Sequence, residues 1–207
     1  MVEEKISSIL YKLLFVYFEN YGFESKWLKF VKSIFDNCGL SNVWRSQSHF
    51  STEWIENCVE LRLKDQFKQE WSSDIFNSSK TICYRIFKNE FCFERYLSLL
   101  PTYLMYYICK FRCGCHRLPI ESGRWHKIQR DERTCIICNS NEIGDEYHYI
   151  LVCNFFSSER KKLLPKYCQK NANTAKFNQL FSSTDIIVLE KLARFIKHVL
   201  SIVVPPG

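Results

Sequence analysis

Apolar residues recur every three or four positions along much of this chain, and that spacing predicts amphipathic helices. The first predicted helix covers about residues 3–19 and the second about residues 25–37, and Gly22 and Gly39 follow them as breaks. The apolar positions that define these two helices are Ile6, Ile9, Leu10, Leu13, Leu14, Trp27, Leu28, Val31, Ile34 and Phe35. We expect both helices to contribute to a hydrophobic core.

A third helix is predicted to begin after Ser51 or Thr52, because a hydroxyl there can accept a hydrogen bond from the first helical turn, and to end near Asp74. The residues expected on its inner side are Trp54, Cys58, Leu61, Phe67 and Trp71. The aromatic-rich segment 79–100 then predicts one or two short helices, and Pro101 suits the first turn of another helix.

The second half of the chain is predicted to be less regular. Pro119 and Gly123 interrupt the helical pattern, so residues 113–134 are interpreted as an irregular basic loop. Residues 157–168 predict a basic helix that breaks or restarts at Pro165.

The end of the chain returns to a clear helical period. A polar stretch at residues 169–184 is expected to separate the basic helix from a final helix at about residues 185–203. Composition agrees with a helical protein, because aromatic residues make up 16% of the chain, which contains only 6 Gly and 5 Pro. The predicted fold class is therefore mostly α.

One cluster of cysteine and histidine residues has the spacing of a metal site. Cys135 and Cys138 are separated by two residues, and Cys153 lies five positions after His148. Three thiolates and one imidazole form a tetrahedral set that suits Zn²⁺ and leaves no open position for catalysis. We therefore predict one structural zinc ion, with ligand atoms within about 4 Å of one another. The alternative is a set of buried thiols with an incidental histidine.

The spacing of the last two ligands also constrains the backbone. His148 and Cys153 should lie on or beside a helix that opens near Asp145. Because five positions exceed one turn of about 3.6 residues, that helix is expected to bend or end near Cys153.

The net charge of +7 is distributed unevenly along the chain. Residues 1–109 contain 13 basic and 13 acidic residues, whereas residues 110–207 contain 16 and 9. We predict a helical region of neutral net charge at 1–109, a basic zinc-binding module at 110–168, and a polar linker with a C-terminal helix at 169–207. The expected architecture is a helical N-terminal part, a small zinc-stabilised module and C-terminal helices.

Basic residues precede and follow the cysteines and form a candidate phosphate-binding surface. Trp125 lies among them, where its ring can stack on an unpaired base. The residues predicted to bind nucleic acid, with single-stranded RNA favoured over DNA, are Arg112, Arg117, Arg124, Trp125, Lys127, Arg130, Arg133, Arg160, Lys161 and Lys162. The alternatives are a solvated charged surface and a Trp125 side chain that covers the zinc module.

The sequence gives no indication of export or of membrane insertion. It begins Met-Val-Glu-Glu-Lys, which is acidic where a secretory signal is positively charged, and its longest apolar run has seven residues, against about 20 for a membrane span. Eleven cysteines would indicate disulfides only in an oxidising compartment. We expect an intracellular protein, cytoplasmic or nuclear, with reduced thiols and no membrane partner.

A series of short motifs surrounds the cysteines in one order. They are Phe111-Arg112, His116-Arg117-Leu118-Pro119-Ile120-Glu121, Gly123-Arg124, Arg130-Asp131-Glu132-Arg133, Asp145-Glu146-Tyr147-His148 and Arg160. Together with the cysteines they resemble the C-terminal region of non-LTR, LINE-type retrotransposon reverse transcriptase proteins. The resemblance is specific over about residues 81–162 and weaker over 27–76.

That resemblance implies a function for the cysteine motif. In the family, a Cys-Cys-His-Cys motif follows the reverse transcriptase domain and is thought to assist binding of the element's nucleic acid. By the resemblance, Cys135, Cys138, His148 and Cys153 are the metal ligands. The residues that correspond to the basic segment before the motif are Arg112, His116, Arg124 and Arg133.

Catalysis is not expected. The polymerase of that family depends on adjacent aspartates that hold two metal ions, and this sequence contains no Asp-Asp pair. We predict a non-catalytic nucleic-acid-binding module, with a reverse transcriptase domain encoded elsewhere as a candidate partner. The alternatives are a structural or protein-interaction helical domain capped by zinc, and a decaying element fragment without selected function.

The other cysteines are interpreted as core or incidental residues. A second cluster, Cys109, Cys113, Cys115 and His116, has the ligand types of a zinc site, but Cys109 and Cys113 lie one helical turn apart on a predicted packing face. The remaining cysteines are Cys38, Cys58, Cys83, Cys92 and Cys168.

Overall fold

The predicted mostly α fold is confirmed. The structure is a computed structural model that describes residues 2–22, 24–47 and 50–203. The helices are α1 (Val2–Tyr21), α2 (Lys26–Asn37), α3 (Ser41–Ser46), α4 (Thr52–Asn77), α5 (Tyr84–Phe87), α6 (Tyr96–Leu99), α7 (Thr102–Arg112), α8 (Pro119–Trp125), α9 (Ser157–Leu163), α10 (Thr174–Phe181) and α11 (Ile186–Val203). Within the described ranges, β structure is limited to one antiparallel bridge between Thr134 and Ile143. The side chains of Ile6, Ile9 and Leu10 lie outside the described part.

The chain divides into two compact units, Met1–Glu70 and Trp71–Gly207. This division differs from the three segments that the charge distribution predicted. Both predicted borders, 109/110 and 168/169, fall inside the second unit, because the helices on either side of them share one hydrophobic core.

Trp44 is the centre of the first unit. Its side chain is 1% exposed, and the rings of Phe15, Phe18 and Phe35 surround it at centroid distances of 5.1, 6.4 and 5.9 Å. The indole Nε1 donates a hydrogen bond of 2.9 Å to Glu19, so the one polar atom of the buried ring has a partner. The predicted contribution of the first two helices to a core is confirmed for Leu28, which is 1% exposed, but is wrong for Leu13, Leu14 and Trp27, which are 53%, 40% and 58% exposed. The sequence did not single out Trp44.

The predicted inner face of α4 is wrong at three positions. Trp54, Leu61 and Phe67 are 45%, 63% and 51% exposed. The helix itself is present, and it ends at Asn77, within one turn of the predicted end. Helical spacing identified the element correctly, but α4 has only Ile75 fully buried among its residues.

Helix α11 is the centre of the second unit. It packs against α7, α9 and α10, and its inner face is fully buried. The residues that are 0% exposed on this helix are Leu189, Leu192, Ala193, Phe195, Ile196 and Val199. Complete burial of one such Leu, Ile or Phe side chain contributes roughly 1.5–3 kcal/mol, so this helix organises the core onto which the cysteine segment folds.

The segment predicted as an irregular loop and the segment predicted as a polar linker both contain helices. Residues 113–134 include α8, which begins with Pro119 in its first turn, where a missing N–H is tolerated. The polar stretch 169–184 includes α10, whose first turn donates a hydrogen bond to the side chain of Asn173. In α10 the buried residues Phe177 and Phe181 are four positions apart, so both lie on the face that contacts the core.

The predicted short helices between residues 79 and 100 and the predicted helix break at Pro165 are confirmed. Two short helices, α5 and α6, occupy the 79–100 segment, and α9 ends before Pro165, after which a 3₁₀ turn covers Lys166–Cys168. None of the described helices combines the length and the apolar character needed to cross a membrane.

Candidate metal centre

Cys135, Cys138, His148 and Cys153 come together in the second unit. One ligand atom from each residue lies within 4.8 Å of the others. The Nε2 atom of His148 lies 3.3 Å from the Sγ atom of Cys138. This spread is slightly wider than the about 4 Å expected for ligands around one zinc ion. The donor set of three thiols and one imidazole fits a tetrahedral metal ion, so the four residues form a group that can hold one.

A short loop presents the first two cysteines. The Thr134–Ile143 bridge closes it, and the Cys135 N–H donates a hydrogen bond of 2.8 Å to the Glu142 carbonyl. Asn139 and Asn141 adopt positive φ angles of 52° and 57°, a conformation that asparagine tolerates better than most residues. These bonds and turns direct both thiols toward the same point.

The His148–Cys153 segment is a π-helical turn. The helix opens at Asp145, whose side chain accepts a hydrogen bond of 2.9 Å from the His148 N–H. The Cys153 N–H then bonds to the His148 carbonyl at 2.8 Å, five residues back instead of four. This wider turn accommodates the five-residue spacing of the two ligands, and the predicted opening near Asp145 and end near Cys153 are confirmed.

Glu142 fixes the orientation of the His148 ring. Its Oε2 atom lies 2.9 Å from Nδ1 of the imidazole. When Nδ1 carries the proton and donates it to the carboxylate, Nε2 keeps its lone pair and faces Cys138. This carboxylate–histidine arrangement is typical of metal-ligating imidazoles.

The two thiols beside His148 differ in acidity. Burial opposes ionisation of Cys138, but hydrogen bonds, chiefly from Ser140, outweigh it and lower the pKa of this thiol to about 6. Burial raises the pKa of Cys153 to about 12. A bound cation would favour both thiolates, since a metal deprotonates a coordinating thiol.

Arg160 was predicted to bind nucleic acid, and its position contradicts that role. Arg160 is only 5% exposed, and its guanidinium donates hydrogen bonds to the carbonyls of Ile150 and Cys153 at 2.7 and 2.9 Å. These carbonyls belong to the π turn and to the last ligand. The side chain therefore anchors the backbone of Cys153, a candidate metal ligand, and does not face solvent.

Arg112 is likewise buried, at 4% exposure, so it cannot contact a nucleic acid on the surface. Its guanidinium forms an ion pair with Glu94 and donates a hydrogen bond of 2.9 Å to the Phe181 carbonyl. It also lies over the rings of Phe87 and Tyr96, with 4.2 and 4.9 Å to the centroids.

Three more of the predicted basic residues form ion pairs or hydrogen bonds within the protein. Arg124 forms an ion pair of 2.7 Å with the buried carboxylate of Glu121, and Arg130 lies 3.6 Å from Asp145. The guanidinium of Arg133 donates to the backbone carbonyls of residues 120 and 128. These arginines therefore stabilise the module, and their charges are partly compensated.

The other five predicted residues are exposed: Arg117, Trp125, Lys127, Lys161 and Lys162. Two of them lie where α8 ends. The Ile128 N–H bonds to the Gly123 carbonyl and the Lys127 N–H to the Arg124 carbonyl, which is the Schellman arrangement. Lys127 takes the left-handed position of this motif, with φ of 57°, where glycine is the usual residue.

The second cysteine cluster does not form a metal site. Among the described residues only the Cys135 group brings its ligand atoms together. His116 instead lies in the core, where its Nε2 is 3.0 Å from the buried carboxylate of Glu146 and its Nδ1 accepts from the Leu118 N–H. Of the remaining cysteines, Cys38, Cys83 and Cys168 are buried, Cys58 and Cys109 are intermediate, and Cys92, Cys113 and Cys115 are exposed.

Sequence reasoning missed two elements of the site. Glu142 lies in a loop with no regular period, and its only signal was an acidic residue six positions before the histidine ligand. Arg160 was read as a surface charge because a sequence pattern does not reveal which backbone carbonyls lack partners.

Comparison with protein-family models found no match, and neither the curated proteins nor the solved structures gave a significant match to this chain.

Proposed function

We propose that Cys135, Cys138, His148 and Cys153 bind one structural Zn²⁺ ion and that the adjoining surface binds nucleic acid, with RNA favoured over DNA. Zinc suits this donor set, whose thiolates and imidazole match its preferred tetrahedral coordination. Four protein ligands leave no position for a substrate or a reactive water, so the ion would stabilise the fold. The proposed activity is binding and not catalysis.

A charge argument supports the zinc assignment. Three thiolates around Zn²⁺ give the centre a net charge of about −1. The buried cation of Arg160 bonds to the Cys153 carbonyl, next to one of these thiolates. A buried arginine without a nearby anion would be costly, and the proposed centre supplies that anion.

The observation that carries the nucleic-acid proposal is the turn after α8. It exposes Trp125, which is 53% accessible, two residues from the exposed cation of Lys127. The left-handed conformation costs a non-glycine residue roughly 1–2 kcal/mol. A lysine held there at that cost, beside an exposed aromatic face, suits a surface that contacts phosphates and stacks on an unpaired base.

Fluorescence anisotropy with single-stranded RNA and DNA of matched sequence tests this proposal. Zinc-loaded protein is expected to bind with an affinity that falls as salt rises, with a slope of roughly −0.7 for each phosphate contacted. Trp125→Ala, Lys127→Ala and Arg117→Ala are expected to weaken binding. Arg194→Ala, at an exposed position on α11, is the matched control. Absence of binding at low salt, or binding insensitive to salt, contradicts the proposal.

We also propose kinship with the C-terminal region of non-LTR retrotransposon reverse transcriptase proteins, and a reverse transcriptase domain encoded elsewhere as a partner. The proposal rests on the order of motifs between residues 81 and 162. Several of the motif residues contact one another or the centre: His116 pairs with Glu146, and Arg160 holds Cys153. Such mutual contacts explain why these residues occur as a set.

A protein-interaction module is the second candidate function. Two apolar side chains beside the ligands favour it: Ile136 is 65% exposed and Phe155 is 53% exposed. Apolar residues around a zinc centre suit contact with a protein more than contact with phosphates. Zinc-loaded protein that binds neither RNA nor DNA in the anisotropy assay would favour this second function.

A further inference from the structure

A pocket of about 190 Å³ opens on the second unit between the α5–α6 connection and the turn after α10. Its lining includes the aromatic residues Phe87, Tyr96 and Phe181. The hydroxyl residues 182–184 also line it. The volume is smaller than the ~300–1,000 Å³ of pockets for drug-sized ligands, so it suits a small molecule or a single chemical group.

Positive charge exceeds negative charge in this pocket. Lys88, Arg95 and Arg112 line it together with a single carboxylate, that of Glu94. The side chains of Lys88 and Arg112 are only 7% and 3% exposed. The Glu94 carboxylate contacts both cations: it forms an ion pair with Arg112 and lies 3.4 Å from the Lys88 ammonium. Tyr84 Oη is a further neighbour of this carboxylate, at 3.2 Å.

Donor capacity remains after these contacts. The Nε atom of Arg112 is buried and has no hydrogen-bond partner within the described residues. The Lys88 ammonium donates to the Cys92 carbonyl at 2.5 Å and lies 3.5 Å from the Cys92 thiol, which is a weak acceptor. The Lys88 ammonium has three N–H groups and only one close oxygen acceptor, and a ligand with several acceptor oxygens would supply another.

The acidic side chain of Asp185, next to the pocket lining, does not neutralise the cations of the pocket. Asp185 follows the hydroxyl residues 182–184, but its carboxylate accepts hydrogen bonds from the backbone N–H groups of Ile187 and Val188 at the start of α11. The pocket therefore has three cations and one anion from its own lining, an excess of two positive charges. A phosphate monoester carries about −1.5 to −2 at neutral pH, which matches this excess.

We propose that this pocket is a binding site for a phosphate group, contacted by Lys88 and Arg112 and by the hydroxyl groups of Ser183 and Thr184. The group belongs either to a free small phosphate or to the terminal phosphate of a nucleic acid, since the recognising chemistry is the same. The site is separate from the surface at Trp125 and Lys127 and does not depend on the function proposed for it.

Titration of zinc-loaded protein with inorganic phosphate, at constant ionic strength set with sodium chloride, tests the proposal. Lys88→Gln is expected to weaken phosphate binding by about tenfold or more, because a charge-assisted hydrogen bond is lost. Lys191→Gln, on the exposed face of α11, is the matched control and is expected to bind as the unmodified protein does.

A second variant remains informative if Lys88→Gln fails to fold. Glu94→Gln removes the only carboxylate of the pocket and keeps an acceptor oxygen, so phosphate affinity is expected to rise by about tenfold. Misfolding cannot produce tighter binding. No phosphate binding beyond that of chloride, or equal affinities for Lys88→Gln, Glu94→Gln and Lys191→Gln, overturns the proposal.

Paired oligonucleotides distinguish the two sources of the phosphate. A 5′-phosphorylated strand that binds more tightly than the same strand with a 5′-hydroxyl, with the difference abolished by Lys88→Gln, assigns the site to a terminal phosphate. Equal affinities together with binding of inorganic phosphate assign it to a free small phosphate. Inorganic phosphate binding that is weakened by Lys88→Gln in a protein that binds neither RNA nor DNA would support this site and contradict the proposed nucleic-acid surface, so the two proposals are distinguishable.

Discussion

The Nδ1 atom of His148 lies 2.9 Å from the Oε2 atom of Glu142. The two residues are six positions apart, since Glu142 lies in the preceding loop and His148 begins the π turn, and their contact leaves Nε2 directed at Cys138. Because this hydrogen bond selects the tautomer that can ligate a metal, Glu142 is expected to contribute to metal affinity without contacting the ion.

Replacement of Glu142 tests that contribution. Glu142→Ala is expected to lower metal affinity by about 10–100-fold, since the ring loses its orienting partner. Competition with a chromophoric chelator measures the change. Glu132→Ala, at an exposed acidic position near the same loop, is the control and is expected to keep the original affinity. Equal affinities for the two variants would show that the contact does not orient the ligand.

The contact between Gly123 and Arg133 gives a second prediction. A Cβ atom at position 123 would lie 2.6 Å from Cγ and 2.8 Å from Cδ of Arg133, both too close. Gly123→Ala is therefore expected to displace the Arg133 side chain from the carbonyls of Ile120 and Ile128 and to destabilise the protein by roughly 1–3 kcal/mol.

A double-mutant cycle measured by urea unfolding isolates this clash. In an Arg133→Ala background, Gly123→Ala is expected to cost much less, because the obstructing side chain is absent. If Gly123→Ala lowers the free energy of unfolding by the same amount with Arg133 and with Ala at position 133, the glycine is needed for another reason.

Lys127 separates a backbone effect from a charge effect. Lys127→Gly relieves the left-handed strain and is expected to stabilise the protein by up to about 1 kcal/mol, whereas Lys127→Ala keeps the strain and gives no such gain. Both variants lose the charge and are expected to bind RNA more weakly to a similar extent. Urea unfolding and anisotropy measure the two effects. Unchanged RNA binding in both variants would remove Lys127 from the proposed surface.

Several features of this fold were accessible from sequence because their signals are local. Helix α11 has a regular apolar period, and the five-residue interval between His148 and Cys153 predicted that the helix bends or ends near Cys153. The sequence did not predict the π turn itself. Helix α10 was missed although Asn173 and the spacing of Phe177 and Phe181 are helical signals, because the surrounding residues are polar.

Other features depend on tertiary contacts that no sequence period contains. Arg112 and Arg160 were expected on the surface, as most arginines are. Their burial depends on Glu94 and on backbone carbonyls that are brought to them only by the folded chain. For the same reason the exposure of Trp54 and Leu61 in α4 did not follow from their spacing, which identifies a face but not what covers it.

The first unit gives a prediction on pH. Hydrogen bonds from Lys32 and from the Trp44 indole lower the pKa of Glu19 below its usual 4.5. A carboxyl group whose pKa is lowered by folding contributes stability above its unfolded pKa, and this contribution is lost as pH falls through the folded value. Glu19→Gln is therefore expected to destabilise the unit at neutral pH and to have a smaller effect at about pH 3.5.

Hydrogen exchange of the Trp44 indole N–H, followed by NMR, reports on this effect in the full chain. Glu56→Gln, at an exposed position of α4, is expected to leave the exchange unchanged at both pH values. An equal acceleration by Glu19→Gln at neutral and acidic pH would show that the carboxylate charge is not what stabilises the Trp44 core.

The metal centre itself is tested most directly by native mass spectrometry of the full-length protein. We expect one zinc ion per chain, loss of the ion in Cys153→Ser, and retention of it in Cys168→Ser, which alters a buried cysteine outside the cluster. Because structural zinc binding is coupled to folding, a chelator should also lower the thermal stability of the second unit. If the purified protein contains no zinc and a chelator leaves its thermal stability unchanged, the assignment of the centre is contradicted.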